Sequence, residues 1–122
     1  MSTLYERVGG QQFFDQLVDR FYEGVAQDPI LCPLYPDDLE GPKKHLALFL
    51  GQYWGGPATY SDERGHPRLR MRHAPFVIGL AEREAWLRHM TDAVGASDAG
   101  GEVRGELIEY FETASRNLIN SR

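Results

Sequence analysis

Gly65-His66-Pro67-Arg68-Leu69-Arg70-Met71-Arg72-His73-Ala74-Pro75-Phe76 is the stretch on which the reading of this chain turns. Pro67 and Pro75 bracket seven residues, room for about two turns at ~3.6 residues per turn. The residue before a proline is pushed out of the α region, so a helix here ends near His73 or Ala74. His73 therefore stands at the tip of a short, stiff segment, with the apolar Phe76-Val77-Ile78 just behind it. Between Arg64 and His73 the chain spends four of its thirteen Lys/Arg and two of its four His, although its net charge is −5. Cations, an imidazole and an apolar surface set together suit a flat apolar ligand with acidic edges and a metal at its centre.

The rest of the chain sets bounds on that idea. Its 122 residues make one domain, 1–122, long enough to bury roughly two-thirds of its unfolded surface. Hydrophobic content of 42% and charged content of 25% are those of an ordinary globular chain. An acidic balance argues against nucleic acid, which needs a broad basic face. The single Cys32 excludes an intramolecular disulfide and a Cys-rich zinc or iron–sulfur site. It fits a reducing, cytoplasmic compartment, and Met1–Arg7 lacks the charge-then-apolar layout of a secretory signal. The longest apolar run, Leu46-Ala47-Leu48-Phe49-Leu50, falls far short of the ~20 residues of a membrane span.

Helical periodicity accounts for most of the chain. Residues 3–8 read as a short helix capped by Ser2 or Thr3 and stopped by Gly9-Gly10. From 11 to 27, Phe14, Leu17, Val18, Phe21, Tyr22 and Val25 fall on one stripe. Residues 30–35 form a short turn of helix before Pro36-Asp37-Asp38. A helix over 42–54 opens at Gly41-Pro42 and carries Leu46, Phe49, Leu50, Tyr53 and Trp54 on its apolar side. A polar connection follows, up to Gly65. Two further helices span 80–94, with Trp86, Leu87, Met90, Ala93 and Val94, and 102–119, with Leu107, Phe111, Ala114 and Leu118. No alternation long enough for a sheet occurs, so the fold class is all-α. The pairs 11–27 with 42–54 and 80–94 with 102–119 suggest a two-over-two sandwich; a plain four-helix bundle satisfies the same pattern. Fourteen of 122 residues are aromatic, and Tyr22, Tyr35 and Trp86 bring polar tips that a pocket would use better than a dry core.

These segments resemble a known family. Arg20-Phe21-Tyr22, Tyr35-Pro36, Phe49-Leu50-Gly51-Gln52-Tyr53-Trp54-Gly55-Gly56-Pro57, Tyr60-Ser61, the run Arg64 to Phe76, and Trp86-Leu87 are similar to those of truncated haemoglobins of the second, O-type group, over nearly the whole length. The resemblance implies a truncated two-over-two globin sandwich around haem b. It implies that His73 is the proximal iron ligand. It places Tyr22, Tyr35 and Trp86 around the bound gas, and Leu46 on the same distal side. Tyr60, Arg72 and His45 correspond to positions that meet the haem propionates, with some help expected from Arg70; Phe49, Phe76 and Met90 complete the cofactor-contacting set. Pro42 stands where members of this group usually have a small residue, and His45 where Arg or Lys is more common. His45 would then pair with propionate in a pH-dependent way.

Without the resemblance each residue has a plainer reading. A lone helical His is more often structural than a ligand, an arginine run is usually a solvated loop, and Tyr22 and Tyr35 are ordinary core aromatics. His66 reads as a loop brace and His89 as a helix-face histidine.

The functional expectation is reversible binding of O2, CO or NO at haem iron. The alternative is a redox enzyme, an NO dioxygenase or weak peroxidase, drawing electrons from a separate reductase because the chain has no flavin domain. A neutral His pushes electrons less than a thiolate, so peroxidase activity would be modest. A haem-free interaction module whose basic loop meets an acidic partner is the competing class, and a colourless purified protein would identify it. A zinc hydrolase fits worse, since no His-Glu-x-x-His motif occurs. A monomer and a homodimer are both compatible with the sequence.

Overall fold

The computed structural model describes residues 2–121, the side chain of Arg70 excepted. Seven α-helices run in the order α1 (Leu4–Arg7), α2 (Gln11–Ala26), α3 (Glu40–Tyr53), α4 (Thr59–Arg64), α5 (Leu69–His73), α6 (Leu80–Gly95) and α7 (Gly101–Asn117), with a 3-10 turn at Cys32–Leu34. No strand occurs among the described residues.

The long helices form because their apolar residues recur at helical spacing, and they pack where those stripes meet. α2 lies against both α3 and α6, and α6 pairs with α7. The two expected pairs are therefore present, and the α2–α6 contact joins them into the two-over-two arrangement. Phe14, Phe21, Leu17, Leu107 and Phe111 are buried in the common core, each contributing about 1.5–3 kcal/mol by transfer out of water. Pro42 sits in the first turn of α3, where its missing N–H costs nothing.

Short elements are tied on by specific bonds. The Glu6 N–H donates to Thr3 Oγ1 at 3.2 Å, which caps α1, and the Tyr5 N–H donates to the Trp54 carbonyl at 3.0 Å. Gly79 opens α6 with its N–H donated to Glu82 Oε1 at 2.7 Å, one arm of a capping box.

The sequence reading differs from the structure in one element. The polar connection before Gly65 contains α4, which the six residues Thr59–Arg64 are too few to announce by periodicity. Tertiary bonds hold it. The Ser61 N–H donates to Gln52 Oε1 at 3.0 Å and the Gln52 amide donates to Ser61 Oγ at 2.7 Å. Tyr53 also departs from its stripe: it is 53% exposed at the end of α3.

Candidate functional site

The proline-bracketed segment folds as its local chemistry demands. Arg68 takes up a left-handed conformation, φ 45°, uncommon for a residue with a side chain. Its N–H donates to His66 Nδ1 at 3.1 Å, so His66 does brace the loop. α5 then runs for five residues and stops with His73 as its last one. The His73 Nδ1–H donates to the Leu69 carbonyl at 2.7 Å. That bond commits the proton to Nδ1 and leaves the Nε2 lone pair for a metal.

His73 lines a cavity of about 390 Å³ bounded by helices α2 to α7. Of the sequence-predicted residues, Tyr22, Tyr35, His45, Leu46, Phe49, Tyr60, Arg72, Phe76 and Trp86 line it with His73. Pro42 lines it too. Met90 does not. It is fully buried in the helical core, one turn beyond Trp86, whose ring packs between Phe21 at 5.2 Å and Phe111 at 5.7 Å and closes that end. Sequence spacing could not separate a core face from a cavity face on the same helix.

The polar groups fall into two sets. At one set, the Tyr22 and Tyr35 rings meet edge to face at 5.5 Å. Trp86 lines the cavity beside them, and burial, first of the causes, raises both phenols above their ordinary pKa. Both therefore stay protonated, and each keeps an O–H that can donate. At the other set, Arg72 donates from Nε to the Pro67 carbonyl at 2.8 Å and from Nη2 to the Arg64 carbonyl at 2.9 Å, with its guanidinium 6.0 Å from the Tyr60 ring centre. Arg64 Nη1 lies 3.1 Å from His45 Nε2. Burial, and then the charges of Arg64 and Lys44, hold the His45 imidazole below its usual pKa, so it stands neutral and accepts from Arg64. The expected contribution of Arg70 lies outside the described residues.

One residue that sequence patterns missed is part of this site. The Asn120 amide donates to the carbonyls of His73 at 3.3 Å and Phe76 at 2.9 Å, while its Oδ1 accepts from the Ile78 N–H at 2.9 Å. Asn120 thus pins the loop that follows the histidine. No stripe or motif marks it.

The donor set can be tested against a metal. Among the described residues no cluster of three or more His, Cys, Asp or Glu could hold a bare ion. A single imidazole in an apolar cavity, with arginines at its edge, suits a metal already held in a planar organic ring. The residues fit haem. No helix among the described residues is long and apolar enough to cross a membrane.

Comparison with known proteins agrees. The bacterial-like globin family matches residues 3–120. The group 2 truncated hemoglobin YjbI of Bacillus subtilis is 43% identical over 95% of this chain and 87% of its own. Among solved structures, the hemoglobin of Chloroflexus aurantiacus superposes with a TM-score of 0.96 at 50% identity, covering 98% of this chain and 99% of that one. The group II truncated hemoglobin of Bacillus anthracis gives 0.95 at 39% identity over 99% and 93%. With fold, cavity and sequence in agreement, the chain belongs to the bacterial-like globins and is a group II truncated haemoglobin.

Proposed function

We propose that this chain holds haem b in the cavity through His73 Nε2 and binds O2, and likewise CO and NO, beside Tyr35, Tyr22 and Trp86. Globin membership supplies the coarser part of this statement, a haem cofactor and diatomic ligands. The observation that carries the finer part is the His73 Nδ1 bond to the Leu69 carbonyl at 2.7 Å, the second-shell arrangement that orients a metal-binding imidazole.

Haem, when bound, supplies the iron at which the gas is held. The chain does the rest. His73 anchors the metal and Asn120 keeps the histidine loop in place. Arg72, Arg64 and Tyr60 border the cavity where acidic edges of the cofactor can be neutralised. Tyr35 donates its hydroxyl to a ligand that gains negative charge, with Trp86 and Tyr22 lining the same cavity beside it. Each such donor in a desolvated site contributes ~1–3 kcal/mol, enough to make release slow. A structure of the similar Bacillus subtilis protein is described as oxygen-avid, which suits the same logic. Slow release favours retention or chemistry over delivery, and NO dioxygenation with an external reductase is the enzymatic form this cavity supports best. Both phenols are held protonated, so they stabilise a bound ligand and are poor bases for cleaving peroxide.

The test is haem reconstitution of the wild type and of His73→Gly, followed by optical spectra before and after reduction and exposure to O2. The wild type should show a Soret band that shifts on reduction and again on oxygenation. His73→Gly should hold haem weakly and recover its spectrum when free imidazole is added. An unchanged spectrum in His73→Gly would overturn the assignment.

A further inference from the structure

The segment that joins α5 to α6 borders the cavity on its inner side, but its outer side is apolar as well. Met71 is 66% exposed, Phe76 42%, Val77 67% and Leu80 62%. Ala74, Pro75, Phe76 and Val77 are exposed in succession, and Ala81 is exposed just beyond Leu80. Such a run is out of place on a surface that meets only water. The backbone beneath it is fixed, because Asn120 bonds it at His73, Phe76 and Ile78.

Charge is as uneven here as polarity. From Gly65 to Ala81 the sequence has three arginines and neither Asp nor Glu, in a chain of net charge −5. Arg64 and Arg72 line the cavity, where acidic cofactor edges can neutralise them, whereas Arg68 is exposed and does not line it. None of Arg64, Arg68 and Arg72 pairs with a carboxylate among the described residues.

A second copy docked by the same face would set arginine against arginine. One short segment also falls short of the roughly 20–30 residues a side of a stable interface, and suits the smaller contacts of electron-transfer partners. What lies beneath the patch then decides its occupant. Phe76 is 42% exposed and also lines the cavity, together with Leu69, Arg72, His73 and Ile78. A single layer of residues therefore separates a docked partner from the cofactor. Electron tunnelling falls exponentially with distance, so an electron donor gains from this position and a lipid surface does not.

We propose that the apolar patch from Met71 to Ala81, with the Arg68 cation preceding it, docks a small acidic one-electron carrier protein that reduces the cofactor through the cavity wall at Phe76. This rests on the haem reading above, in which O2 is held at ferrous iron. One electron leaves the carrier and ferric iron becomes ferrous; no bond in this chain forms or breaks.

The experiment uses the haem-loaded protein, with flavodoxin, a small acidic carrier, as the probe. The Soret spectrum and its shift with dithionite are recorded first. Amide NMR of the carbonmonoxy form, titrated with oxidised flavodoxin, reads docking without electron transfer, and the shifts should centre on residues 68–81. Stopped flow then follows reduction of the ferric form by flavodoxin hydroquinone, which gives up one electron and becomes the semiquinone. The rate should fall steeply with added salt. Val77→Glu and Leu80→Glu, at exposed positions outside the cavity lining, should slow it tenfold or more. Val77→Lys should not slow it at low salt, which separates charge from any disturbance of the loop. Reduction by dithionite, too small to need the patch, should change less than twofold. Equal flavodoxin rates in wild type, Val77→Glu and Val77→Lys would overturn the docking site, as would amide shifts centred elsewhere. Wild type that ignores flavodoxin but binds phosphatidylserine vesicles, with binding lost in Val77→Glu, would overturn it in favour of a lipid surface. Failure to take up haem would overturn the docking site together with the reading it rests on, and the first spectrum tells the two apart.

Discussion

His89 Nε2 lies 2.7 Å from Asp28 Oδ2, a bond that ties α6 to the turn following α2. Asp28 is buried, with its side chain only 5% exposed. Its other oxygen accepts from the Ile30 N–H at 2.8 Å, and Arg88 approaches to 3.2 Å. The pair therefore holds the helix that carries Trp86 against the segment between Tyr22 and Tyr35.

Acid should loosen this tie. The bond from His89, then the one from the Ile30 N–H, keep the Asp28 carboxyl below its ordinary pKa despite burial, and the Arg88 charge acts in the same direction. The unfolded chain then takes up the proton first, so the stabilisation is present above the ordinary Asp value of about 3.9 and is lost as pH falls through the lower folded value. Thermal unfolding followed from pH ~6 to ~3 should show a melting temperature that drops more steeply for wild type than for Asp28→Asn. Parallel curves would show that the carboxylate does not contribute.

Gly24 offers a second handle on the same pair. A Cβ built there would overlap the His89 imidazole, and the ring has little freedom while it holds Asp28. Gly24→Ala should cost ~1–3 kcal/mol, the usual penalty of overpacking, despite the better helix propensity of alanine. Urea unfolding measures it. A neutral or stabilising result would mean that His89 can leave Asp28 freely.

What was legible in the sequence followed the range over which its forces act. α2, α3, α6 and α7 announced themselves because an apolar stripe repeats within each, and His73 was placed at a helix tip because Pro75 ends α5 locally. α4 was missed because the Gln52 bonds that hold it come from another helix. His89 read as an unremarkable helix-face histidine because Asp28 lies 61 positions away. Met90 was expected at the cofactor, since the stripe of α6 has one period for core and cavity alike. The pairing of His45 with Arg64, a cation where an anion was expected, depends on how α3 and α4 meet. Family resemblance supplied the residue set of the cavity, while the reason His73 offers Nε2 came only with the Leu69 bond.

Asn120 should matter more than its exposed position suggests. Its side chain makes three bonds to the backbone between His73 and Ile78. Asn120→Ala removes all three, and at ~0.5–1.5 kcal/mol each the loss should reach a few kcal/mol unless water replaces them. Haem transfer to an excess of apo-myoglobin should be faster from this variant than from wild type. Equal transfer rates would show that α5 holds the histidine without help from the tail.

Tyr35 and Trp86 should separate in their effects on the bound gas. Tyr35→Phe keeps the ring and its edge-to-face packing against Tyr22, 5.5 Å between centres, and removes the hydroxyl proposed to donate to the ligand. Trp86→Phe removes an indole N–H whose ring is wedged between Phe21 and Phe111 and has less freedom to turn to the ligand. Stopped-flow measurement of O2 release should therefore show a tenfold or greater increase in Tyr35→Phe, about 1.4 kcal/mol or more, and a smaller one in Trp86→Phe. The reverse order would make Trp86 the principal donor and Tyr35 its support.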